Sequence, residues 1–326
     1  MSAILGIDIA KASFDCVLLY ETKSYYQQFT NTEKGFDNLQ TWLDKQGVEQ
    51  VHVGMEATGR YGDALALNLH SAGFKVSIIN ARYLKAYRQS LGNQHKTDKQ
   101  DAALIARFCA ERKPNAWQPP STVMNHLKQQ TRHLQNLKKM HQQEKNRLKS
   151  GLTDTLVKQR LQTHIDYLES EIDLFTKSIH ELIMSDISLK KDYELLLSIP
   201  AIGKKTVPIL LAEIETIERF DSADALASYA GLTPSLFQSG TSVNRRARLS
   251  KHGNVHLRTS LYMPAMGAPR WNARCASLQT RLKKKGKNGK SIIAANMHLL
   301  LRLAFGVLKN QQPYDPTYLQ KEQLVA

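Results

Sequence analysis

Three cysteines in 326 residues, Cys16, Cys109 and Cys275, are too few, too scattered and odd in number for a disulfide framework or a cysteine-built zinc site. They fit a reducing cytoplasm. No apolar run approaches the ~18 residues expected of a bilayer span. The start, MSAILGIDIAKASFD, has neither a basic segment nor a small-residue cleavage site, so no secretory signal is expected. Glycine-rich nucleotide loops are missing as well. Acidic residues become scarce in one place. Residues 1–110 hold 12 Lys and Arg against 11 Asp and Glu, residues 111–219 hold 17 against 14, and residues 220–326 hold 16 against 4. A charge kept for solubility alone would be spread evenly. Most of the net +16 therefore sits in the last third, and such a polycation is the footprint of a polyanionic partner, nucleic acid above all.

The chain has enough apolar residues, 42%, to bury a core and enough length for two or three domains. Residues 1–115 alternate strand and helix. ILGIDIA, FDCVLLY and SYYQQFTN read as hairpin-like strands, and VHVGME and FKVSIIN as later ones. Helices are expected over EKGFDNLQTWLDKQG, GDALALNLHSAG and TDKQDAALIARFCAER, with Gly47 and Gly73 as stops. That order implies a mixed sheet covered by helices. RKPNAWQPP, with three prolines, ends the pattern. Residues 116–193 carry leucine and isoleucine at spacings of three, four and seven, which predicts two long antiparallel helices turning somewhere near 150–163. Residues 194–326 read as a mainly helical domain. In it SIPAIGKKT resembles the turn of a helix-hairpin-helix, whose backbone N–H groups hold a phosphate, although Ala201 stands where glycine is common.

Four acids stand out. Asp8 lies in the first strand, Glu56 ends the apolar run VHVGME, and Asp98 and Asp101 are three apart and share a helical face. An acid at a strand end costs stability unless something pairs with it. Carboxylates from separate elements are what a two-ion site for phosphodiester chemistry requires. Each acid alone also fits a dull role: Asp8 a turn, Glu56 a cap, Asp98 an N-cap. Asp15 is the nearest decoy. In the last third, Ser235, Ser239, Ser242 and Ser250 fall in what reads as a polar loop. Ser239 precedes Gly240, and Arg245, Arg246, Arg248 and Lys251 follow, cations suited to a phosphate. Spacing alone favours a Ser/Gly turn bonded to its own backbone.

The ordered segments GIDIAKASFD, MEATGRY and KTDKQDAALIA resemble the DEDD-type insertion-sequence transposases, a family that includes the Piv-type site-specific DNA invertases. SIPAIGKKT, FDSADALASYAGLTP, SGTSVNRRARLSKHGNVHLRTSLYMPAM and GKNGKS resemble the family's second half, so the likeness spans about residues 4–310. It implies an α/β, ribonuclease H-like (RuvC-like) N-terminal domain, a coiled-coil connector and a mainly helical C-terminal transposase domain. Carried over by motif, Asp8, Glu56, Asp98 and Asp101 become ligands of Mg2+, with Mn2+ an equally oxygen-loving substitute, and Ser239 becomes the nucleophile.

The resemblance further implies a cytoplasmic, nucleoid-associated recombinase. A structured non-coding guide RNA would pair with donor and target DNA, and the coiled coil would hold a homo-oligomer, dimer or tetramer, whose composite site draws on one subunit or on two. Arg245, Arg246, Arg248, Lys251, Lys283, Lys284, Lys285, Lys287 and Lys290 are expected to meet nucleic-acid backbones. Two other readings remain: a RuvC-like junction nuclease that uses water, and a nucleic-acid-binding protein without catalysis.

Overall fold

The computed structural model describes residues 3–48, 50–57, 59, 61–92, 97–239 and 243–317, without the side chains of 236–239 and 243–247. The chain divides into two compact units, Met1–Pro119 and Pro120–Ala326.

In the first unit β1 (Ala3–Ile9), β2 (Ser13–Tyr20) and β3 (Lys23–Thr30) form an antiparallel meander, followed by α1 (Glu33–Lys45). Then come β4 (Val51–Glu56), α2 (Asp63–Ser71), β5 (Lys75–Ile79), α3 (Ala81–Ser90) and α4 (Asp98–Arg112). The sheet order is β3-β2-β1-β4-β5, with β4 parallel to β1 and β5 parallel to β4. This is the mixed, helix-covered sheet the sequence predicts. Strands β1 and β4 are mostly apolar, as expected of strands buried in the middle of a sheet; Leu5, Ile7, Val53 and Met55 are buried. The expected glycine stops hold: Gly47 at φ 68° and Gly73 at φ 86° take the left-handed turn after α1 and α2. Helix α3 is not anticipated by the sequence reading. Its segment ARYLKAYRQS buries only Leu84 and Tyr87, too few apolar positions to show a period.

The second unit opens on α5 (Thr122–Leu148) and α6 (Thr155–Ser185), the predicted pair of long helices. Lys145 reaches Glu169 at 2.8 Å, and Ser178 reaches Gln130 at 3.2 Å, which fixes the two helices antiparallel. After α7 (Ile187–Leu197) the chain turns through Ala201, whose φ of 82° explains why glycine is common there, and enters α8 (Val207–Ile214). Next come α9 (Ala223–Tyr229), β6 (Pro234–Ser239), β7 (Val243–Leu249), α10 (Val255–Ser260), α11 (Tyr262–Gly267), α12 (Ala273–Lys284) and α13 (Gly289–Asn310).

Two expectations change here. The segment read as a polar loop is an antiparallel hairpin, β6 with β7, bulged between Ser235 and Phe237. Its strands carry serine, asparagine and arginine, so no apolar alternation announces them. Helix α13 is long and apolar enough, by length and composition, to cross a membrane, against the expectation of no such run. Within the fold it is a core helix, with Leu300, Leu301 and Ala304 fully buried, and it carries His298 and Arg302.

Candidate active site

Two glycines position the sequence-predicted acids. Gly6 of β1 and Gly54 of β4 are paired in register. A Cβ on Gly6 would overlap the Ala102 carbonyl oxygen and the Ala106 nitrogen, and one on Gly54 would overlap the Cys109 sulfur. Helix α4 therefore lies directly on the two central strands. That close approach carries the start of α4 toward Asp8, next to last in β1. Thr97, not Asp98, caps the helix; its hydroxyl accepts from the Gln100 N–H at 3.3 Å. Asp98 is thereby the first helical residue, exposed, while Asp101 one turn on is buried with 7% exposure. Glu56 ends β4, beside β1 in the sheet.

The consequence shows in the charge of Asp8. Its pKa is raised from 3.8 to about 6, first by burial and then by the negative fields of Asp101, Glu56, Asp98 and Asp15. All four sequence-predicted acids thus act on one end of the sheet. They do not yet form a coordination shell. Among the described residues no three His, Cys, Asp or Glu side chains are grouped tightly enough to hold an ion. Asp101 is ion-paired with Arg88 of α3. The donor set, all carboxylate oxygen and mutually repelling, fits a hard divalent ion. Arg88 was missed by sequence reading because α3 was missed. The decoy Asp15 is satisfied locally, accepting from Tyr26 Oη at 2.6 Å and from Gln28 Nε2 at 3.2 Å.

The sequence-predicted serine lies in the other unit. Ser239 is the last residue of β6, in register with Val243. Its side chain, those of Arg245 and Arg246, and residues 240–242 lie outside the described structure. The base of this hairpin is fixed backbone to backbone. Ser250 N–H donates to Thr233 O at 3.0 Å, Lys251 N–H to Gly231 O at 3.2 Å, and Asn254 N–H to Tyr229 O at 2.7 Å. Gly253 has no room for a Cβ against Tyr229 O and Gly231 N. Beneath it, fully buried Glu213 of α8 accepts from Arg132 Nε and Nη2 of α5 at 2.7 and 2.8 Å and from Asn254 Nδ2 at 2.6 Å. Burial pushes the Glu213 carboxyl up, but Arg132 and Asn254 together hold it below its ordinary value. The hairpin that bears Ser239 is thus clamped to both α5 and α8. Arg248, Lys251, Lys283, Lys284, Lys285, Lys287 and Lys290 are exposed. At the helix-hairpin-helix-like turn, burial and the nearby Lys205 lower the pKa of Lys138 on α5, so two cations crowd one spot.

Comparison with known proteins places these features in a lineage. Residues 5–157 match a family model described as a transposase with a DEDD motif, and residues 193–280 match the transposase IS116/IS110/IS902 family. The chain is 37% identical over 319 residues to the pilin gene-inverting proteins of Moraxella bovis and Moraxella lacunata, covering 95% of this chain and 97% of each relative. It is 26% identical over 120 residues, 37% of its length and 29% of the relative's, to an insertion element IS110 uncharacterized 43.6 kDa protein of Streptomyces coelicolor. Among solved structures, T. thermophilus RuvC in complex with Holliday junction substrate aligns at 15% identity and a TM-score of 0.27, covering 36% of this chain and 99% of that one. With both halves matched in order and nearly the whole length shared with the gene-inverting relatives, the chain belongs to the IS116/IS110/IS902 transposase family and is an enzyme of DNA recombination.

Proposed function

We propose that this recombinase excises and inserts its own DNA element through a covalent phosphoserine link on Ser239, guided by a structured non-coding RNA. The observation that carries the metal half is the crowding of carboxylates on Asp8, which raises its pKa to about 6. A protein keeps such a repulsive cluster where a bound cation repays it. Asp8, Glu56, Asp98 and Asp101 would hold the divalent ion, Mg2+ or Mn2+. When bound, it supplies charge stabilisation at the scissile phosphate.

The chain's own residues do the rest. The Ser239 Oγ attacks the phosphorus; the P–O bond to the 3′-oxygen breaks, and the serine proton ends on that oxygen. The phosphodiester energy is kept in the phosphoserine, so no nucleotide cofactor is needed. Reverse attack by a 3′-hydroxyl of the other duplex restores Ser239 and joins the strands. The clamp formed by Glu213, Arg132 and Asn254 supports this role by fixing the base of the hairpin that carries the serine. Ser239 and the acids lie in separate units of the chain, and the reading needs both at one phosphate, supplied by one chain or by two subunits of a homo-oligomer, dimer or tetramer. RNA guidance rests on the family resemblance. Exposed lysines that meet phosphates leave sequence choice to base pairing.

Full-length identity to pilin gene-inverting proteins favours a second outcome of the same chemistry, inversion of a DNA segment between two sites. The deciding experiment uses Ser239→Ala with suicide DNA substrates. Loss of the covalent protein–DNA adduct and of strand transfer, with cation binding intact, is expected. Junction cutting at the wild-type rate would instead favour a nuclease that activates water. Copurified RNA whose digestion stops recombination supports the guide.

A further inference from the structure

Ninety residues of the second unit, 225–314, contain no aspartate or glutamate and fifteen lysines and arginines. Within them lies an apolar surface that the fold leaves uncovered. Helices α10 and α11 run almost continuously, joined through Leu261 at φ −85° and ψ −11°. One face of this rod, Leu257, Leu261, Ala265 and Ala268, is fully buried. The other presents Val255, Thr259, Met263, Met266 and Arg270 at spacings of three and four, so they share a side. Val255, Met263 and Met266 are 50%, 64% and 50% exposed, Tyr262 is 42% exposed, and Trp271 at the end of the rod is 72% exposed. Exposed apolar side chains in such density mark an interaction surface.

The charge selects the occupant. A second copy would bring the same acid-free cationic stretch against its own image and be repelled. A polyanion is attracted. A polyanion that also offers flat apolar faces to tryptophan, tyrosine and methionine is a strand of nucleotides with its bases unstacked. Double-stranded DNA hides those faces. Recombination exposes them, because every strand exchange passes through unpaired nucleotides between breakage and rejoining. The rod starts at Val255, six residues after the serine-bearing hairpin ends at Leu249. We propose that the α10–α11 face with Trp271 is a stacking platform for the unpaired DNA strand generated during exchange. Trp271 and Tyr262 take the bases, while Arg270 and the neighbouring lysines take the phosphates. The platform follows from the recombinase family and the exposed surface, and is independent of whether Ser239 is the nucleophile.

The test compares oligonucleotides binding to the full-length protein at fixed salt, read by anisotropy and by Trp271 fluorescence quenching. The probes are a single-stranded DNA 12-mer, the same length of abasic backbone, duplex DNA and single-stranded RNA. The DNA strand is expected to bind about tenfold more tightly than the abasic backbone for each base stacked. Trp271→Ala should remove most of that preference and leave duplex binding unchanged; at 72% exposure the side chain has little packing to lose. Trp271→Phe, which keeps a ring, should retain it. Equal affinity for abasic and normal strands overturns the proposal. So does a Trp271-dependent preference for RNA over DNA, or Trp271 burial in anionic vesicles that the DNA strand does not compete away. Ser239→Ala should leave all these affinities intact, so failure of the platform and failure of the serine reading are read separately.

Discussion

Asp8→Asn should make the metal-free protein more stable while removing its response to divalent cations. The Asp8 pKa stands about two above its ordinary 3.8. At about 1.4 kcal/mol per pH unit, that is roughly 3 kcal/mol of unfavourable charge at neutral pH without screening. Asp8 is only half-buried, and solvent screening reduces the figure to about 1–1.5 kcal/mol. The neutral amide keeps the shape and loses the repulsion, so the first unit should melt on the order of 3–6 °C higher at pH 7.5 in chelator. The pH dependence fixes the sign. The folded state binds the Asp8 proton more tightly than the unfolded state, so wild type gains stability as pH falls from about 6 to about 4. It loses that gain as pH rises again. The gap between variant and wild type should therefore open between pH 4 and 6 and stay constant above. Differential scanning fluorimetry across that range measures it. Adding Mg2+ should then raise the wild-type midpoint, by about 1.4 kcal/mol of stability at ten times the dissociation constant, and leave Asp8→Asn unmoved. A variant less stable than wild type at pH 7.5, or one that still responds to Mg2+, refutes the metal-site argument.

Arg88→Met should free the Asp101 carboxylate from its ion pair. It is expected to lower metal-free stability and raise Mn2+ affinity several-fold, measured by electron paramagnetic resonance. Gly6→Ala should lift α4 off β1 at a cost of about 1–3 kcal/mol and abolish Mn2+ binding in the protein that remains folded. Glu213→Ala strands Arg132 and Asn254 and should cost on the order of 3 kcal/mol. Glu213→Gln, which keeps the shape, should cost less, and urea melts followed through the second unit separate the two. Replacing Lys283, Lys284 and Lys285 together by Ala should weaken DNA binding for all sequences alike and lower the salt slope by about 0.9 for each phosphate no longer neutralised.

The sheet was legible because its strands obey simple rules. β1 and β4 are apolar apart from Asp8, His52 and Glu56, and glycines mark the ends of α1 and α2. The four acids were legible because they interrupt such runs or share a helical face. What pattern could not reveal was partnership. Nothing in MEATGRY or KTDKQD says that Arg88 will seize Asp101, because the pair depends on where α3 returns against α4. The glycines that let α4 down onto the sheet were also hidden, since Gly6 and Gly54 have ordinary extended conformations and matter only through what lies above them. The hairpin bearing Ser239 escaped because an arginine-rich strand lacks the alternation that betrays a half-buried one. The Glu213 clamp joins residues 81 and 41 positions apart, beyond any local signal.

The acidic end around Asp8 in the first unit and the stretch 225–314 of the second treat charge in opposite ways. Where acids and cations share a fold, they neutralise one another: Arg88 takes Asp101, and Arg132 takes Glu213. A cation spent in that way cannot hold a phosphate. The stretch from 225 to 314 avoids the loss by carrying no carboxylate at all, so its lysines have no acid of their own segment to pair with. The first unit does the converse, crowding acids around Asp8 with Arg88 as a counter-charge. Mixing the two sets on one surface would let them cancel. Keeping them on separate units preserves an acidic cluster suited to a cation and a cationic stretch suited to phosphates, the two things the proposed chemistry asks for.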